Sequence, residues 1–168
     1  MDDSEKEAIV RSAAARVWRF WNRETGCGAR EVVLRRVLAL ELGRQLPGCI
    51  IQEEVDLPIR YPLKSRNSKT EFVEVGHTRI DLMVRADCGT QLFGVELKVA
   101  PATQNHQRQA LFYSKQIAPT PVFLVCLSPF ARAIHAKEHI DLPPVQISVF
   151  SEGSATVSPP ESPRRASP

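Results

Sequence analysis

Three side chains in the middle of the chain have the types and spacing for metal-assisted chemistry. In Arg79-Ile80-Asp81-Leu82-Met83-Val84, strand alternation sets Ile80, Leu82 and Val84 on one face and Asp81 and Met83 on the other. In Gly94-Val95-Glu96-Leu97-Lys98-Val99 it groups Val95, Leu97 and Val99, with Glu96 and Lys98 opposite. Between them, Asp87-Cys88-Gly89-Thr90 carries the Asp-x-Gly signature of a hairpin. A turn centred between Cys88 and Gly89 sets Asp81 directly across from Glu96. The Cβ atoms of such a pair lie about 4.5–5.5 Å apart, and like charges repel there. A divalent cation supplies the missing positive charge, and Mg2+ suits carboxylate oxygens plus waters. Lys98 lies one pleat further on the same face, within reach of a water or an oxyanion near the metal. The competing reading is a solvated acidic face with Lys98 as a salt-bridge partner, because so short a pattern also arises by chance.

Two helical stretches offer support. In the stretch from Ala29 to Leu46, Leu34 and Val37 bracket Glu41 on one face, with Leu38 adjacent. A carboxylate inside an apolar stripe is costly unless it has a partner, and a metal is one such partner. Glu31 lies nearer the edge of the stripe. If the helix is rotated, Glu41 instead sits at its rim. Further on, Gln109 and Tyr113 stand at i and i+4 and share a helix face. Both can orient a carboxylate or touch a phosphate; equally, they fit an amphipathic helix with an edge tyrosine.

Other candidates carry less. His77, His106, His135 and His139 show no convincing ligand spacing; the last two are i and i+4 without an evident third ligand. Cys27, Cys49, Cys88 and Cys126 are far apart and contain no CxxC pair, so reduced cysteines are expected rather than zinc or a disulfide framework. No Gly-rich phosphate loop is present, which removes the main support for a nucleotide-binding reading. Trp18 and Trp21 could stack on bases, but their spacing favours core anchors. Arg60, Lys64, Arg66 and Lys69 could contact a phosphate backbone; a solvated loop is the commoner meaning of such a run.

The elements that must position these residues follow from periodicity and breakers. Ser4 to Asn22 reads as a helix, with Ser4 and Glu7 at capping-box spacing. Thr25-Gly26-Cys27-Gly28 breaks it, and a second helix runs to Pro47-Gly48. Strands are expected from Cys49 to Ile59, His77 to Ala86 and Gln91 to Val99, with an exposed loop from Tyr61 to Thr70. Thr103 to Ile117 reads as a helix, and the apolar run Val122 to Leu127 as a strand buried on both faces. A short helix from Ala131 to His139 and a last strand from Val145 to Phe150 complete the order. Three successive strands suggest an antiparallel meander, and the later strand–helix alternation suggests crossovers to parallel neighbours. The fold class is therefore α/β, a mixed central sheet flanked by helices on both faces.

The 168 residues suggest one domain, divided into a helix and linker over 1–28, the main domain over 29–150 and a tail over 151–168. The tail is rich in Pro and Ser and poor in large apolar residues, so it is expected to be disordered. With 43% hydrophobic and 24% charged residues the composition is that of a soluble globular protein. No apolar run spans a bilayer and the N-terminus is acidic, so an intracellular protein, cytoplasmic or nuclear, neither secreted nor in the membrane, is expected. A net charge of +3 is compatible with a phosphate-bearing partner but does not require one.

Ile80-Asp81, then Glu96-Leu97-Lys98, then the Gln109-x-x-x-Tyr113 helix resembles the PD-(D/E)XK nuclease superfamily, in particular its RecB-type QxxxY branch. The resemblance covers roughly Ala29 to Phe150 and is strongest from Thr78 to Tyr113; Ile80 stands where the family name has proline. It implies a restriction-endonuclease-like core preceded here by an extra N-terminal helix, and a Mg-dependent nuclease, with Mn2+ able to substitute. It implies that Asp81, Glu96, the Leu97 carbonyl and Glu41 hold metal. Lys98 would assist the attacking water or the charged transition state, and Gln109 and Tyr113 would support the site. The implied partner is nucleic acid, DNA more than RNA, with specificity supplied by self-association or a partner protein. Nuclease-like folds are also reused as non-catalytic modules that bind nucleic acid or protein.

Overall fold

The structure, a computed structural model, describes residues 1–63, 71–128 and 145–151. The short helix expected at 131–139, His135 and His139, the cations at 64, 66 and 69, and the tail beyond 151 lie outside the described residues.

Helix α1 (Asp3–Glu24) starts earlier than the Ser4–Glu7 capping box predicts. The same spacing occurs at Asp2 and Glu5, and this pair is used: the Glu5 amide donates to Asp2 Oδ1 at 2.8 Å and the Asp2 amide to Glu5 Oε2 at 2.9 Å. The earlier start also lets Lys6 pair with Asp3, and Arg11 pairs with Glu7 one turn further on. Val10, Ala13, Ala14, Val17 and Trp21 form its buried face. Trp21 is thus a core anchor, and Trp18 donates from Nε1 to the Ser128 carbonyl at 3.1 Å.

Helix α2 (Glu31–Gln45) buries Leu34, Leu38, Ala39, Glu41 and Leu42. Five strands follow the helical pair: β1 (Cys49–Leu63), β2 (Glu71–Ala86), β3 (Gln91–Lys98), β4 (Val122–Leu127) and β5 (Val145–Phe150), with helix α3 (Gln104–Gln116) between β3 and β4. The sheet order is β1-β2-β3-β4-β5. The first three strands form the expected antiparallel meander, and the α3 crossover makes β4 parallel to β3. Strand β5 returns antiparallel to β4, not parallel as the alternation suggested. Tyr61, Pro62 and Leu63 belong to β1 rather than to a loop.

Two cores sit on the two faces of the sheet. Helices α1 and α2 cover Leu82, Val84, Phe93, Val95, Leu97, Phe123, Val125 and Leu127. Helix α3 covers Ile80, Met83, Val122, Leu124 and Cys126, with Ala110, Tyr113 and Ile117 facing them. No described helix is long and apolar enough to cross a membrane.

One departure from alternation bears on function. Ile80 and Leu82 should share a face, yet Ile80 belongs to the α3 side and Leu82 to the α1–α2 side. The slip falls at Asp81. In the β1–β2 ladder, Glu53 pairs with Leu82 and Val55 with Ile80, while Glu54 and Asp81 between them are skipped; Glu54 has φ +52°. Gly94 leaves room for Ile80: a Cβ there would meet Ile80 Cδ1 at 2.6 Å, so the Ile80 side chain would have to shift its tip to lie over β3.

Candidate active site

The β2–β3 ladder has the expected register at Leu82↔Val95, Met83↔Gly94 and Val84↔Phe93, with an irregularity nearer the turn. It ends there, and the next step would set Asp81 opposite Glu96. Beyond Leu82 the two strands are joined by side chains instead of a main-chain ladder. The Leu97 amide donates to Asp81 Oδ2 at 2.8 Å, and the Asp81 amide donates to Glu96 Oε2 at 3.4 Å. Each carboxylate thus satisfies a main-chain N–H of the opposite strand, which the opened ladder leaves without its usual partner. The N–H and C=O of one strand residue leave from the same edge, so the Leu97 carbonyl faces the Asp81 side too.

The third group completes the cluster. Lys98 Nζ lies 2.6 Å from Glu96 Oε1. Glu96 is only 2% exposed. Burial, then the Asp81 charge, push its carboxyl up to about 7, with Lys98 opposing them. Burial alone would lower the Lys98 ammonium; the hydrogen bond to Glu96 and the charges of Glu96, Asp81 and Glu31 outweigh it and raise it. Lys98 therefore stays protonated at neutral pH beside an acid that holds its own proton unusually late.

Asp81 has a counter-charge that alternation and spacing did not anticipate. Arg35, on the side of α2 that faces β1 and β2, places Nη1 3.2 Å from Asp81 Oδ1 and Nη2 3.0 Å from Glu54. Its Nε is 3.8 Å from Glu53 and buried without a hydrogen bond. One guanidinium thus stands among three carboxylates. Glu31, one turn earlier on α2, acts on Lys98 through its charge. The signal for both residues was present: Glu31 and Arg35 are i and i+4 on one helix face, opposite an acid in need of a cation.

Glu41 is buried, at 8% exposure, as its place in an apolar stripe predicts, but it is not brought to this cluster. Its carboxylate meets Arg44 of its own helix and Arg16 of α1 at 3.5 Å. Glu41 stands six residues beyond Arg35, about 9 Å along the helix. Its charge is met by two arginines, although Oε2 makes no hydrogen bond. Gln109 and Tyr113 do lie on α3 over the sheet face that carries Glu96 and Lys98. They bond to each other, with Gln109 Nε2 donating to Tyr113 Oη at 2.7 Å, and Tyr113 is buried in the α3-side core. Neither is bonded to Asp81, Glu96 or Lys98.

The oxygen donors fit a small hard cation. Among the described residues no group of three or more His, Cys, Asp or Glu side chains is gathered around one point. Asp81, Glu96 and the Leu97 carbonyl give two carboxylates and one neutral oxygen. Mg2+ is commonly held by one or two carboxylates with waters and substrate phosphates. Comparison of the chain with protein-family models, curated proteins and solved structures gave no match.

Proposed function

We propose that this protein is a metal-dependent nuclease of the PD-(D/E)XK type that hydrolyses phosphodiester bonds, with DNA its preferred substrate. The observation that carries the reading is the exchange of side-chain bonds across the open strands, Asp81 to the Leu97 amide and Glu96 to the Asp81 amide, with Lys98 on Glu96. A fold that needed only stability would close this ladder with main-chain bonds.

Asp81, Glu96 and the Leu97 carbonyl would hold Mg2+, or Mn2+ in its place. The bound ion would polarise the phosphoryl oxygen and make a coordinated water more acidic. Glu96, with a carboxyl held at about 7, would give up its proton where a cation binds at neutral pH. Lys98, held protonated, offers three donors to the negative charge that develops on the phosphorus oxygens. The Gln109–Tyr113 pair stiffens α3 over the face that carries Glu96 and Lys98. Arg35 holds Asp81 in place from the other side.

The test is cleavage of single-stranded, duplex and branched DNA and of RNA, with Mg2+ or Mn2+ present or chelated. Wild type is compared with Asp81→Ala and Lys98→Ala. Metal-dependent cutting lost in both variants supports the enzyme. One observation favours a second reading, a non-catalytic module that binds nucleic acid or a partner protein: the Arg35 guanidinium already pairs with Asp81. Binding that ignores metal and both substitutions would support that module and sink the nuclease.

A further inference from the structure

The cluster around Asp81 is linked to a second charged region by a run of contacts. Arg35 joins Asp81 to Glu53, and Glu53 also takes Nη1 of Arg36. Arg36 and Glu53 line a cavity of about 410 Å³ whose wall also includes Arg44. Arg44 holds Glu41, and Glu41 in turn meets Arg16 of α1. Arg16, Arg19, Phe20 and Arg23 line a second cavity of about 360 Å³, together with Glu24 and Glu41.

Charge in this layer is one-sided. From Ala13 to Gln45 the sequence has seven arginines and three glutamates, with no lysine or aspartate. The start of α1 is the reverse, acidic and closed by its own one-turn pairs. Arg16, Arg19 and Arg23 recur at i, i+3 and i+7 and share a helix face. Arg19 bonds only to the Ala15 carbonyl of its own helix, at 3.3 Å, and no described residue pairs with Arg23. Exclusive use of arginine matters, because its planar fork matches phosphate oxygens two at a time where an ammonium is a point charge. Arg36 to Arg44 is eight residues of helix, about 12 Å. That length spans roughly three to four phosphates of one strand at about 3.4 Å each along a duplex.

We propose that the exposed arginines of α1 and α2 form a track for the phosphate backbone of a nucleic acid, leading to the bond cut at Asp81. The track rests on the nuclease reading only for its destination; its binding can be measured without cleavage. Arg36, next to Arg35, lies nearest the site, and Arg44 continues the track about two turns further along α2. Arg16, Arg19 and Arg23 extend the track along α1. Glu41 is the internal anion that holds Arg16 and Arg44 at the junction between the two helices.

The experiment is fluorescence anisotropy with labelled DNA of about 30 nucleotides, single-stranded and duplex, in chelator, over about 50 to 300 mM KCl. Arg19→Gln/Arg23→Gln should bind about tenfold more weakly at low salt and reduce the log–log salt slope by about 2. Arg19→Lys/Arg23→Lys should keep that slope, since charge is retained. Adding Arg16→Gln should weaken binding further; if circular dichroism shows that the triple variant is unfolded, the double variant decides alone. Unchanged affinity and slope in the double glutamine variant overturn the track, as does wild type that binds neither DNA. Wild type that binds through these arginines yet never cuts in Mg2+ or Mn2+ refutes the nuclease and leaves the track. Cutting with unchanged KM in the double variant does the opposite.

Discussion

Glu41 and Glu96 are the two buried acids of the described chain, and their surroundings differ in kind. Glu41 lies between the guanidinium groups of Arg44 and Arg16, both of which reach well into solvent. Glu96 has one cation, Lys98, and faces a second acid, Asp81, at the point where two strands part. The first arrangement carries more positive than negative charge and ties α1 to α2. The second sets two acids beside one ammonium, and burial, then the Asp81 charge, raise the proton affinity of Glu96. Two buried acids thus differ in the charge around them, and only Glu96 lies beside a second acid.

The difference can be broken experimentally, and the largest effect belongs to the Asp81–Glu96–Lys98 cluster. Under the proposed reading, Asp81→Asn or Lys98→Ala lowers Mg-dependent cleavage by about a thousand-fold, as expected when a group that supports transition-state charge is removed. Circular dichroism should show the fold intact. Activity within a few-fold of wild type would remove the cluster from the chemistry.

Arg35 comes next. Arg35→Gln leaves Glu53, Glu54 and Asp81 facing one another without their shared cation. Metal-free protein should lose on the order of 3 kcal/mol by denaturant melt, because a largely buried charge network loses its partner. Mn2+ should then bind more tightly, since the competing positive charge is gone. Weaker Mn2+ binding in this variant, measured calorimetrically, would mean that Arg35 supports the cation site rather than competing with it.

The Glu96 proton gives a smaller effect with a definite sign. The folded carboxyl keeps its proton up to about 7, whereas the ordinary value is 4.5. The stability held in that proton is full below about 4.5 and is lost as pH rises through about 7. Between about pH 5.5 and 8, wild type should lose on the order of 2 kcal/mol relative to Glu96→Gln. Added Mg2+ should restore part of that loss at the higher pH. Parallel stability curves for the two proteins would show that Glu96 is not strained.

Glu41→Gln should have the smallest consequence. Its arginines are more than half exposed on their side chains, so water screens the lost pair, and about 1 kcal/mol of stability is expected to go. Mn2+ affinity should not change. A Mn2+ affinity reduced tenfold or more would return Glu41 to the metal role its position in the stripe suggested and erase the contrast with Glu96.

Much of the fold was legible from local pattern. The edges of β4 and β5 and the helix capped by Thr103 followed from apolar runs and breakers, and the register of β2 against β3 followed from the turn. Convergence of Asp81, Glu96 and Lys98 was legible for the same reason: a two-residue period and one turn set the neighbours of every side chain on a hairpin. The phase slip at Asp81 was not. It depends on the skipped Glu54 of β1 and on the space left over Gly94, both contributed by other strands. The direction of β5 was also hidden, since strand–helix alternation does not tell how a chain returns.

The sequence by itself determined which acids and which lysine meet, because hairpin geometry is local and leaves little freedom. Only the tertiary structure decided how α2 is turned about its axis. That rotation is set by packing of Leu34, Leu38 and Leu42 against α1 and the sheet, and a helix offers several nearly equivalent faces to such packing. It is this rotation that brings Arg35 to Asp81 and leaves Glu41 among arginines.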